Sequence, residues 1–199
     1  MMAIKKRVIS IVAISLLFMM IISATSSIAP FFANAATPAT FGNTIVGPYT
    51  DRTPVGDKDS VMYQAPETGT MTSISMYIQT GGALVRYAVY TDLNGQPDQL
   101  IAQSQIVQTT ENSWVTAPIE AHIEAGQNYW LTVASNKMIY WNYDFGALAG
   151  NGKQTTATSS QTYGEFIPWG IAKFSMYATY IPIDASVTTS PTITSESTT

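Results

Sequence analysis

The run Gly69-Thr70-Met71-Thr72-Ser73-Ile74-Ser75-Met76-Tyr77-Ile78-Gln79-Thr80, then Gly81-Gly82, then Ala83-Leu84-Val85-Arg86-Tyr87-Ala88-Val89-Tyr90-Thr91 decides the fold. In the first half Ile74, Met76 and Ile78 alternate with Ser73, Ser75 and Tyr77. In the second, Val85, Tyr87 and Val89 occupy every other position. A period of two places successive side chains on opposite faces of a strand. Two such runs across a Gly-Gly pair predict a β-hairpin.

The same reading extends outward. Short runs at Gln99–Thr109, Ser113–Pro118, Gln127–Ser135, Met138–Phe145 and Ile171–Ile181 are separated by Gly, Pro and Asn turns. Ile119 to Ala125 resembles a helix in composition, but Ile119, Ala121, Ile123 and Ala125 alternate with Glu120, His122 and Glu124. That is an extended segment with its charges outward. Seven or more strands in about 140 residues predict an all-β protein, a single antiparallel two-sheet β-sandwich.

The 199 residues are 46% hydrophobic and 11% charged, with no cysteine. Disulfides, thiolate metal sites and cysteine nucleophiles are therefore excluded. Residues 1–35 carry Lys5, Lys6 and Arg7, an apolar run from Val8 to Ile22, and Ala33-Asn34-Ala35. This is the order of a secretory signal peptide, with an uncleaved membrane anchor as the alternative. No other stretch is apolar enough to span a membrane as a helix. Without that segment six basic residues face 13 acidic ones, a net charge of −7. Such a balance does not suit nucleic acid, and no nucleic-acid partner is expected. Residues 36–185 form the expected domain; 186–199, with ten Ser or Thr in fourteen positions, read as a disordered tail. The expected location is secreted, extracellular or cell-surface.

Several stretches together carry a resemblance. They are Ile74 to Ile78, Val85 to Pro97, Leu100 to Ser104, Trp114-Val115, Ala125 to Leu131 and Tyr177 to Tyr180. In this order they resemble the jelly-roll β-sandwich modules of secreted bacterial and archaeal surface proteins, including those called choice-of-anchor domains. The resemblance covers about residues 40–181. It implies a jelly-roll fold and, because similar sandwiches include many carbohydrate-binding modules, a polysaccharide or surface glycan as partner.

Catalytic motifs are missing from the sequence. There is no Gly-x-Ser-x-Gly elbow, no His-Glu-x-x-His and no phosphate loop, and His122 is the sole histidine. A non-catalytic protein is expected. Glu120-x-His122-x-Glu124 would share one strand face, either as a metal-assisted hydrolytic site or as a solvated edge. Asp51, Asp57 and Asp59 in the Asp51–Ser60 stretch, read as a loop, offer the hard oxygens that Ca2+ takes, so a structural calcium is the candidate cofactor. Asp92, Asn94 and Asp98 offer a weaker set, explained by turn chemistry.

The aromatic segment carries the binding expectation. Sugar rings stack C–H faces on Trp and Tyr while their hydroxyls need Asn, Asp or Glu partners. Trp169, Tyr163 and Glu165 are the first candidates, followed by Trp141, Tyr143, Asn142 and Asp144. The row Ile139-Trp141-Tyr143-Phe145 is either a stacking platform or a core row. A second reading is a structural subunit of a surface layer or filament, self-assembling by strand exchange through the extended segment Ala36–Thr44.

Overall fold

The computed structural model describes residues 36–146, 153–156, 167–168 and 171–183. The chain divides into Met1–Ala35 and Ala36–Thr199, and the described residues belong to the second unit. They are all β. The strands are β1 (Ala39–Gly42), β2 (Tyr49–Thr53), β3 (Asp57–Gln64), β4 (Gly69–Ile78), β5 (Leu84–Leu93), β6 (Gln96–Gln103) and β7 (Val107–Gln108). They continue with β8 (Ser113–Ile123), β9 (Asn128–Ser135), β10 (Ile139–Phe145), β11 (Lys153–Thr156), β12 (Ile167–Pro168), β13 (Ala172–Phe174) and β14 (Met176–Pro182).

Two antiparallel sheets result, as the alternation predicts. In sheet A, β1 pairs β14, β14 and β8 flank β4, and β10 joins the end of β4 through Trp141 and Ile78 while pairing β2 and β13. Sheet B runs β12-β11-β3-β9-β5-β6, with β7 also on β5. Between the sheets lie the inward rows Ile74-Met76-Ile78, Val85-Tyr87-Val89, Leu131-Val133 and Val61-Tyr63. A second buried cluster, Met62, Tyr90 and Trp130, lies on the opposite face of sheet B.

The Gly81-Gly82 hairpin does not form. The strands on either side of it belong to different sheets, so the glycine pair carries the chain across the sandwich rather than back along one sheet. Gly82, at φ 70°, donates its N–H to the Thr109 carbonyl, and Thr109 donates to the Ala83 carbonyl. Alternation marks which face is apolar, but each strand finds its partner elsewhere. The true tight hairpin is β5–β6, where Asn94 (φ 55°) and Gly95 (φ 73°) make the turn.

The stretch from Asp51 to Ser60 is also not a loop. It contains the end of β2, a turn closed by the Asp57 N–H on the Pro54 carbonyl, and the start of β3. β1 occupies an edge of its own sheet, with Phe41 buried against Tyr180. In this conformation Ala39–Gly42 pairs with the chain's own β14.

With no disulfide available, two phenols tie the sheets. Tyr63 on β3 donates to the Phe174 carbonyl (2.7 Å), and Tyr87 on β5 donates to the Val115 carbonyl (2.8 Å). Burial pushes both phenols far above their ordinary range, so they remain neutral donors. Ahead of β2, Gly47 donates to Ser175 Oγ and accepts from Asn142 Nδ2, and it lies against the Tyr143 backbone. A methyl group there would collide with the Tyr143 carbonyl. Gly47→Ala is expected to cost about 1–3 kcal/mol, read as a lowered urea midpoint at unchanged slope.

Candidate functional site

The binding candidates on β10 differ sharply in burial: Trp141 and Asn142 are enclosed, and the strand opens to solvent from Tyr143 onward. The other three candidates, Tyr163, Glu165 and Trp169, lie outside the described residues.

The row Ile139-Trp141 is core. Trp141 is 1% exposed and packs on Phe174 with ring centroids 4.2 Å apart. It is therefore not a stacking platform: β10 turns this face toward the opposite sheet. Asn142 is also buried, and its amide is committed within the fold. Its Nδ2 donates to the Gly47 carbonyl and its Oδ1 accepts from Gln79 Nε2 (2.8 Å each). Tyr143 is half-buried beside the exposed rings of Tyr49 and Phe145, at centroid separations of 5.5 and 5.4 Å. Asp144 is exposed, and its Oδ1 accepts from the Phe145 N–H. Of the four β10 candidates, only Tyr143 and Asp144 remain open to solvent.

Asp51, Asp57 and Asp59 do not form a ligand set. Among the described residues no three His, Asp or Glu side chains are gathered so that they could hold a metal ion. The reason is that β3 turns Asp59 into the protein. Asp59 is 4% exposed and accepts from Thr53 Oγ1, which in turn accepts from Trp141 Nε1 (2.9 Å). Burial pushes the Asp59 carboxyl up to about 7; the neighbouring Asp51 and Asp57 charges add to this, and the Thr53 and Trp141 contacts oppose it. In the other acidic set, Asp92 caps the β5–β6 turn through the Gly95 N–H and accepts from Trp130 Nε1 (2.7 Å).

Glu120 and His122 leave the same exposed side of β8, and Glu124 follows just past its end. His122 and Glu124 line a cavity of about 320 Å3 with Asp92, Gln127 and Asn128. Glu120 belongs to a neighbouring cavity of about 470 Å3 that includes Gln103 and Gln105.

The open aromatic cluster that the segment 140–169 does not reveal lies on the outer face of sheet A. Strand register sets Thr40, Thr179, Ser73 and Pro118 side by side across β1, β14, β4 and β8. The next row is Gly42, Tyr177, Ser75 and Thr116, and beyond it Tyr77 pairs with Trp114. The Trp114 ring meets Tyr77 at 5.7 Å and Tyr177 at 5.1 Å, both edge-to-face. Trp114 and Tyr177 come from the two strands that flank β4, so they meet above Ser75, which is 2% exposed and hydrogen-bonded to Thr116 (2.7 Å). All three rings are half-buried. No charged residue occurs in β1, β4, β14 or in β8 as far as Pro118. The face is a ridge of aromatic rings among hydroxyls.

The fold and these surfaces define a two-sheet antiparallel β-sandwich. Among solved structures it is similar to a chain described as the cysteine protease and lectin-like domains of Cwp84, a surface layer associated protein of Clostridium difficile, at 10% identity and TM-score 0.57. A second similar structure is the clostridial cysteine protease Cwp84 after propeptide cleavage, at 12% identity and TM-score 0.56. Each match covers 73% of this chain but only 36% and 40% of the Cwp84 chains, so the likeness is one of fold over part of a larger protein. No protein-family model and no curated protein matches the sequence. Among the described residues no helix is long and apolar enough to cross a membrane.

Proposed function

We propose that this protein is a secreted, non-catalytic module of the cell surface that binds a neutral saccharide on the outer face of sheet A. The observation that carries this reading is the Trp114, Tyr77 and Tyr177 ridge, flanked by hydroxyls on β1, β4, β14 and the part of β8 up to Pro118, none of which carries a charged residue. Aromatic rings supply the apolar contact that sugar C–H faces seek. The flanking Thr and Ser hydroxyls donate and accept in turn, as sugar hydroxyls require. The likeness to a chain with lectin-like domains from a surface-layer-associated protein supports the reading by analogy of fold. The amino-terminal segment with its Ala33-Asn34-Ala35 exit supports export.

A glycan array on the Ala36–Thr199 chain, followed by calorimetric titration with the best neutral oligosaccharide, tests the proposal. Trp114→Ala is expected to weaken binding at least tenfold, equivalent to about 1.4 kcal/mol. Thermal unfolding of the variant gives the control for folding. Unchanged affinity in Trp114→Ala, or loss of binding in Trp169→Ala instead, overturns the assignment to this face.

A further inference from the structure

We propose that the cavity between the end of β8 and the β5–β6 hairpin is a second binding site, for a saccharide bearing a primary ammonium group. Its lining includes Asp92, His122 and Glu124 along with Thr91, Gln127 and Asn128, and among the described residues it contains no Lys or Arg. The carboxylates favour a cation, and the amides and hydroxyl suit the hydroxyl groups of a sugar. Its volume of about 320 Å3 falls in the range of small-molecule sites. Asn128, half-buried at the cavity, supplies an independent observation: its Oδ1 is shut off from solvent and accepts no hydrogen bond from the described residues. A buried acceptor left unpaired is costly, and a donor brought by a ligand, with a small turn of the amide, would satisfy it. The cavity lies beyond Pro118 along β8 and shares no lining residue with the Trp114, Tyr77 and Tyr177 ridge, so it stands or falls independently of the proposal made for that ridge.

His122 is the sole histidine, so its imidazole ring-proton NMR signals are unambiguous and report on this cavity, which it lines. The full Ala36–Thr199 chain would be titrated with a glucosamine tetramer at a pH where the amines are protonated. Parallel titrations use the N-acetylated tetramer and lysine amide. The expected result is a saturable shift of the His122 signal, with the glucosamine tetramer binding at least tenfold more tightly than its acetylated form. Glu124→Gln, an exposed position, should weaken that binding about tenfold, and Gln127→Ala should weaken it to a smaller degree. An unmoved His122 signal, equal affinity for the acetylated tetramer, or no effect of Glu124→Gln overturns the site. A shift of equal strength with lysine amide overturns its assignment to a saccharide.

Discussion

Trp141→Ala is expected to destabilise the domain by about 3–5 kcal/mol, the range for deleting a large buried aromatic side chain. The indole is 1% exposed, lies against Phe174 and Tyr143, and is hydrogen-bonded to Thr53. Truncation opens a cavity where β10, β2 and β13 converge and leaves Thr53 without its indole donor. For a domain of this size the melting temperature should fall by roughly 10–15 °C. Trp141→Phe should lose less, because it keeps most of the ring and forfeits mainly the Nε1–H contact. A loss below about 1 kcal/mol in Trp141→Ala would contradict the core placement.

The second large effect concerns Asp59. Its carboxyl is raised to about 7 in the folded protein against an ordinary value of 3.8, so the folded state holds its proton where the unfolded chain has released it. Stability from this group is therefore fully present below about pH 4 and is lost as pH rises from about 4 to about 7. The complete shift corresponds to about 4 kcal/mol, an upper bound given the buried setting. Asp59→Asn mimics the protonated acid and cannot titrate. The variant should match the wild type near pH 4 and exceed it in stability at about pH 8. Urea unfolding of both proteins at several pH values gives the difference curve. Parallel curves would show that Asp59 does not carry a raised value.

Much of the sandwich is legible in the alternation alone. The outward placement of Tyr77 and the inward placement of Ile74, Met76 and Ile78 follow from the period of two. Pairing is not legible in the same way. The Gly81-Gly82 pair has hairpin flanks, yet β4 finds β8 and β14, and β5 finds β6 and β9. Apart from β6, which follows β5 directly, these partners lie far along the chain and are chosen by contacts distant in sequence. The strands around Asp51 and Asp57 are masked by their charges: Asp57-Lys58-Asp59-Ser60 reads as a polar loop, but β9 and β11 pair with it.

The candidate site is legible only in part. A row such as Ile139-Trp141-Tyr143 shows two faces without saying which one meets the other sheet, and the structure turns Trp141 inward. The outer-face ridge needs register. Trp114, Tyr77 and Tyr177 are far apart in sequence, and only β4 standing between β8 and β14 brings their rings together.

The two phenol ties have a kinetic consequence. Tyr63 and Tyr87 each reach from sheet B to a backbone carbonyl of sheet A, on β13 and β8. Separating the sheets must break both bonds and bare two buried hydroxyls, which raises the cost of opening the sandwich. Amide hydrogens next to these anchors on both sheets should exchange with solvent together, through one shared opening event rather than local breathing.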